Sequence, residues 1–438
     1  MSNNLDNSTF KEYYSKRMQV THHKVDVFRA ICNFEEAANL KEGDTVNRPY
    51  RSKMVGQTYT RGTAFTVRDI TKTNEQLAVS TAKVAPFYVD DLDALQSQHK
   101  DMNDFADDSV VILGNIIDGD VLGEYDQAAS VVSEADITSG GSTTNGITLD
   151  TTNVQTIFAK AKMKLKRKNV LGGSTVPKVP GGALRGAKTL FAVISPDFEA
   201  VLLEYLAGKE TVLGDETGMS GHMGKYYGFD LYVSNSLGWS GVLSMATLPT
   251  DGDTVVFQVP NKETVTFTFK DSIGTTAGYV HIGASTVDVA RDILQDSINA
   301  PGTSVTEAAA AGFVALSSTL GTSGYSPLDS MEGITATNDD TADTLTIKAE
   351  GVGFLIVSET FTDATDGWTA AKKIQHALFG VKGAIEVVIQ KEPNVEVKDV
   401  QDKIGKNVVP WTLYGKKTFK EGTERLVDVK IRTDAYAA

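Results

Sequence analysis

The stretch FYVDDLDALQSQHKDMNDFADDSVVILGNIIDGDVLGEY, residues 87–125, decides how the rest of the chain reads. Leu92, Leu95, His99, Met102, Ala106, Val110, Leu113 and Ile117 follow one another at steps of three and four, the spacing of one helix face. The opposite face is acidic, with Asp90, Asp91, Asp93, Asp101, Asp104, Asp107 and Asp108 set against Lys100 before Asp118 is reached. From Leu92 to Ile117 such a helix runs about 39 Å. A helix that long, with an unbroken apolar stripe, needs a surface laid along it. Gly114, Gly119 and Gly123 each weaken helix by about 1 kcal/mol relative to alanine, so the pattern allows a bend or an early end near Gly114.

Composition bounds what can surround this element. A chain of 438 residues, 41% apolar, has room for roughly two to four well-cored domains. Cys32 is the sole cysteine, which excludes an intramolecular disulfide and fits a reducing compartment. The polar segment from Met1 to Lys16 lacks the apolar centre of a signal peptide, and the run Val110–Ile117 is too short to cross a bilayer, so no membrane partner is expected. The net charge of −14 is unevenly placed. Residues 241–370 carry seventeen acids against Lys262, Lys270, Arg291 and Lys348, a net of −13, which reads as an added acidic module on a nearly neutral chain.

Upstream of the long helix, residues 1–43 read as a polar arm followed by an apolar helix from Val25 to Leu40. Residues 44–84 are threonine-rich and poor in large apolar side chains. Extended segments are expected at Thr58–Thr60, Ala64–Val67 and Leu77–Thr81, with a bend at Arg61-Gly62. The charge of this stretch is +4, and a basic ribbon without a core of its own needs another surface to rest on.

Downstream, Gln127–Asp150 reads as a Gly/Ser/Thr linker. A helix with Val154, Ile157, Phe158, Ala161 and Leu165 on one face follows, crowded with bases at its C-terminal end, where cations are favoured. Thr189–Ile194 is a strand, Ser195-Pro196-Asp197 a helix start and Phe198–Leu206 the helix. Gly224–Ser234 is a turn and strand. In the acidic segment, strands are expected at Val255–Val259, Thr264–Phe269, Thr344–Lys348 and Phe354–Val357, with an amphipathic helix at Thr286–Ala300 and a small core of their own. The chain then resumes with a helix from Ala371 to Gly380, a strand from Ala384 to Gln390 and mostly extended structure to Ile431.

In this order the elements resemble a tailed-bacteriophage major capsid protein of the Hong Kong 97 type, the Johnson fold. The carriers are the basic hairpin at 44–84, the helix at 88–125, LFAVISPDFEAVLLEY at 190–205, YYGFDLYVSNSL at 226–237 and VKGAIEVVIQ at 381–390. FTFKDSIGTTAGYVHIGAS at 267–285 is similar to a β-rich module that recurs in phage structural proteins. The resemblance implies an α+β fold divided into an N-terminal arm (1–43), an extended loop (44–84), a peripheral domain with its spine helix (85–150) and an axial domain (151–240). The acidic insertion (241–370), an axial return (371–392) and peripheral return strands (393–438) complete it. It further implies a non-enzymatic subunit that builds the hexamers and pentamers of an icosahedral head enclosing double-stranded DNA, located in the virion capsid and assembled in the host cytoplasm. Implied partners are further copies of itself, a portal, a separate scaffolding protein, packaged DNA and a decoration protein. An encapsulin-like compartment and a phage tail or adhesin protein are the alternatives.

Under that resemblance Arg48, Arg51, Lys53 and Arg61 of the loop are expected to meet Asp90, Asp91 and Asp93 of a neighbouring subunit. Some relatives crosslink a loop lysine to a neighbour's asparagine; Lys53 is the lysine in the first half of this loop, but no asparagine and acid are placed beside it. Lys160, Lys164, Arg167 and Lys168 form either a DNA-phosphate contact or an ion-pair patch. His22, His23, His99, His222, His281 and His376 are scattered, with no HExxH or Cys/His ligand spacing, so no catalytic, cofactor or metal residue is expected. Asp339, Asp340, Asp343, Asp363 and Asp366 read as turn formers in preference to calcium ligands.

Overall fold

The computed structural model describes residues 24–35, 44–51, 55–67, 69–90, 101–168, 170, 189–208, 224–272, 274–283, 286–307, 310–363, 365–399 and 404–433. The long helix occupies Asp101–Leu122, unbroken across Gly114, and tightens into a 3-10 turn at Gly123–Gln127. Ala106, Leu113 and Ile117 of the expected stripe are buried, and burial continues through Val121, Leu122 and Tyr125. Leu92, Leu95 and His99 lie outside the described residues. The glycines serve close approach. A Cβ on Gly119 would lie 2.5 Å from the Cα of Gly351, so the two backbones cross where no side chain fits between them.

The expected helix start at 88 is corrected. Phe87–Asp90 is a strand, antiparallel to Gly405–Val408. Its aromatic and β-branched residues suit a pleated, half-buried edge better than a helix turn. The arm is corrected too: within Val25–Leu40 the described helix is only Phe28–Ile31, after which Asn33 bridges to Glu386. Residues 36–40 lie outside the description.

At the centre of the fold, Leu190–Ile194 pairs in parallel with Phe229–Val233 and antiparallel with Ile374–Val381. The far edge of Ile374–Val381 pairs with Leu426–Arg432, which takes Ser130–Val132 in parallel. Every residue from Ile374 to Val381 is buried, which overturns the helix expected at Ala371–Gly380. A strand covered on both faces shows no alternation, and its short apolar run looks helical from sequence. The Gln127–Asp150 linker is likewise more structured than expected: it contributes Ser130–Val132, the short helix Glu134–Ile137 and the buried Ile147 and Leu149.

One face of this sheet is covered by the helices Val154–Arg167 and Pro196–Ala207, with Phe158 packed among Phe198, Tyr226, Phe229 and Phe379. The buried positions of Val154–Arg167 are the five read from the sequence. The other face carries the long helix, with Ile117, Val121 and Tyr125 against Val193, Leu378 and Leu426. The acidic segment builds a third core around Phe257, Phe267, Phe269, Phe313 and the helix Val287–Asn299. It is joined by more than a tether. Thr344–Ala349 pairs with Gly238–Ser244, which pairs with Ile374–His376, so its strands extend the central sheet.

The two faces of the long helix give a direct test. Ile117→Ala should lower the unfolding free energy of the unassembled subunit by about 2–5 kcal/mol, whereas Ile112→Ala, on the exposed side, should change it by under about 1 kcal/mol. Equal losses in urea unfolding would mean the buried face is misassigned.

Candidate assembly surface

The basic ribbon divides into an anchored base and an unsupported outer part. Thr45–Arg51 and Lys72–Ala78 form an antiparallel pair in continuous register. At its base, Leu77 and Val79 are buried with Val388 and Phe419. Arg48 Nη1 lies 3.0 Å from Glu386 Oε1, and its guanidinium sits over the Phe419 ring at 4.7 Å. Glu75 accepts from the Lys420 amide at 2.9 Å, and the Lys420 ammonium lies over the Tyr50 ring.

Residues 55–67 make no strand, which corrects the segments expected at 58–60 and 64–67; the reversal at Arg61-Gly62 is present, with Gly62 at φ +85. Gln57 and Thr66 brace the two limbs, Gln57 Nε2 donating to Thr66 O at 2.7 Å. This outer part presents Tyr59, Phe65 and Val67 at 65%, 68% and 79% exposure, with Val55 and Ile70 also exposed. Five exposed large apolar residues within sixteen positions form an unusual concentration, of the kind interaction surfaces show. Further exposed apolar residues are Phe105, Val111 and Ile112 on the long helix, and Val84 and Tyr88, whose cross-strand partners Trp411 and Asn407 place them on the sheet face opposite Phe87 and its contact with Phe105.

The residues singled out for charge are dispersed. Arg48 is engaged by Glu386 of its own chain, and Arg61 is exposed in the tip turn. Arg51 ends its strand, and Lys53, Asp91 and Asp93 lie outside the described residues. Asp90 is half-buried and accepts from the Tyr88 hydroxyl at 3.3 Å. Among the helix bases, Lys164 is held by Asp136 at 2.6 Å, Lys160 is half-buried, and Arg167 and Lys168 are exposed at the helix end. In the acidic segment, Asp340 and Asp343 lie 3.3 and 3.1 Å from the fully buried Arg291 guanidinium, while Asp363 accepts from the Thr365 amide and hydroxyl.

Two polar groups were not legible in the sequence. Asp118 is fully buried; its Oδ1 accepts from the amides of Val27 and Phe28 at 2.9 and 2.8 Å and so fastens the arm to the long helix. Burial pushes its carboxyl up to about 6, against the opposing effect of those two amides. Nearby, Lys24 donates to Gly351 O at 2.6 Å, and burial brings its ammonium down to about 8. The second group is Ser240, His376 and Asp428, linked across neighbouring strands by contacts of 2.8 and 2.9 Å between residues 136 and 52 positions apart. Separations of that size leave no sequence signal.

No protein-family model and no curated protein matches the chain. Among solved structures, a chain of "Mycobacterium phage Che8" matches at a TM-score of 0.53 and 12% identity, covering 97% of this chain and 98% of that one. Two further matches are "Capsid structure of the Cyanophage P-SCSP1u" (TM-score 0.49, 10% identity, 98% and 96% covered) and "The head structure of Helicobacter pylori bacteriophage KHP40" (0.49, 8%, 98% and 99%). The chain is α+β and shares its fold, over nearly its whole length, with that Mycobacterium phage chain.

The Asp118 carboxyl has a signed consequence. Its value is raised from 3.8 to about 6, so between those limits the native state holds a proton that the unfolded chain has released, and this residue's contribution to stability falls as pH rises through that window. Asp118→Asn keeps an oxygen for both amides and removes the buried charge. Above about pH 7 it should match or exceed the parent in stability, by up to about 3 kcal/mol, and flatten the pH profile. Asp118→Ala should lose stability, since two buried amides then lack an acceptor. Urea unfolding across pH measures both.

Proposed function

We propose that the protein is the major capsid subunit of a tailed bacteriophage, a structural protein that assembles with copies of itself into an icosahedral head around double-stranded DNA. The carrying observation is the outer ribbon: Tyr59, Phe65 and Val67 are held out by a braced hairpin whose base is fixed, on a fold shared end to end with a phage chain. Apolar side chains on such a lever gain burial only on another molecule, and each fully buried one is worth about 1.5–3 kcal/mol. Repetition around symmetry axes turns a modest contact into a closed shell.

In this reading residues 1–43 are the arm, 44–84 the loop over a neighbour, and 85–150 with 393–438 the peripheral domain. Residues 151–240 with 371–392 are then the axial domain, and the acidic 241–370 faces outward, away from packaged DNA. The exposed apolar residues Phe105 and Ile112, seven positions apart on one side of the long helix, are the surface that receives the ribbon. Arg167 and Lys168 at the helix end are free to meet DNA phosphates or a neighbour's acids. A portal, a separate scaffolding protein and a decoration protein are the further partners, and assembly takes place in the host cytoplasm.

Negative-stain microscopy of the purified protein should show closed shells containing DNA when they are isolated from infected or packaging-competent cells. The triple variant Tyr59→Ser, Phe65→Ser, Val67→Ser should retain parent secondary structure and urea unfolding yet form no shells. Normal shells from it would refute the ribbon's role. Raising salt from about 0.1 M to about 1 M should reduce assembly yield by shortening the range of surface charge attraction; an unchanged yield would remove charge from the account while leaving the apolar contact.

A further inference from the structure

Ser240, His376 and Asp428 stand on three adjacent strands, Gly238–Ser244, Ile374–Val381 and Leu426–Arg432, and point to one face of the central sheet. Ser240 Oγ is 2.8 Å from His376 Nε2, and His376 Nδ1 is 2.9 Å from Asp428 Oδ1. His376 and Asp428 are buried at 4% and 3% exposure, while Ser240 is half-buried at the rim. Tyr125 stacks on the imidazole with ring centres 3.8 Å apart and planes within 12°, which fixes the plane of the base. Gly238 makes that stack possible, because a Cβ there would lie 2.3 Å from Tyr125 Cε1.

The arrangement has a chemical direction. A buried carboxylate on Nδ1 keeps the proton there, so Nε2 is the acceptor and the Ser240 hydroxyl donates to it. That is the relation of nucleophile, base and orienting acid required to activate a serine. Lys348 is the cross-strand neighbour of Ser240, its ammonium paired with Asp126, so an ion pair of no net charge stands beside the hydroxyl. Both edges of the strand at Ser240 are taken, by Lys348 on one side and Ile374 on the other, so its amide is not available as an oxyanion donor. This limits the electrophiles to activated ones.

We propose that Ser240 is a nucleophilic serine served by His376 as general base and Asp428 as its positioning residue, reactive toward phosphonofluoridates and activated esters of short acids. With a phosphonofluoridate, Ser240 Oγ forms a bond to phosphorus, the P–F bond breaks and fluoride departs with its electron pair. The serine proton passes to His376 Nε2, and the resulting imidazolium is held by Asp428 until it loses that proton to water. The inference stands on this cluster alone and is independent of the capsid reading.

The test is to treat the purified full-length protein with a fluorophosphonate probe and map the adduct by peptide mass spectrometry. Modification should concentrate at Ser240, about 100-fold faster than at other serines, and this advantage should vanish in urea. Ser240→Ala should abolish the adduct, and His376→Gln should slow it by a similar factor. No adduct on the native protein, or a rate at Ser240 no greater than in the urea-unfolded chain, overturns the proposal. Labelling of a folded His376→Gln variant at the parent rate overturns the relay. Should that variant fail to fold, the native-against-urea comparison on the parent chain still decides.

Discussion

The C-terminal end of the long helix is held from four directions at once, and the other elements take their positions from that grip. Asp118 binds the arm through two backbone amides, Gly119 admits the Gly351 backbone of the acidic segment, and Tyr125 lies on His376 of the central sheet. Tyr414 and Lys416, from the long strand Gly405–Lys417, reach Asp120 on the same turns. Four parts of the chain distant in sequence therefore meet on about two helical turns. The constraint is steric as much as electrostatic: a larger residue at position 119 would part the helix from the acidic segment, whatever its polarity.

Burying a charge is costly without partners: at this junction Asp118 takes two amides, and within the acidic segment Arg291 gathers Asp340, Asp343 and the Met245 carbonyl. The acidic segment thus uses part of its negative charge internally. Its attachment through Thr344–Ala349 and Gly238–Ser244 makes it continuous with the sheet that carries Ser240 and His376. A movement of that segment would be felt directly along the strand bearing the serine.

The outer ribbon is under the opposite regime. Its base is packed and paired, by Leu77, Val79, Arg48 and Glu75, and its outer residues have little but each other. That asymmetry lets the chain fold by itself and, in the proposed reading, still present a surface that association completes. The rigid base sets where the exposed side chains are delivered, while their apolar character supplies the drive to bury them.

Periodicity was enough to reveal the helix at Asp101–Leu122, the buried face of Val154–Arg167 and the strand, cap and helix at Leu190–Ala207, where Ser195 accepts from the Phe198 amide as its sequence indicates. These elements are amphipathic or locally capped, so their neighbours in sequence carry the information. Ile374–Val381 reads as helix from sequence because burial on both faces erases alternation, and Phe87–Asp90 because the strand edge that recruits it lies more than three hundred residues away. The burial of Asp118 and the joining of Ser240, His376 and Asp428 were decided only by tertiary structure. Whether a polar side chain faces water or a distant backbone depends on what is packed over it, and local spacing holds no record of that.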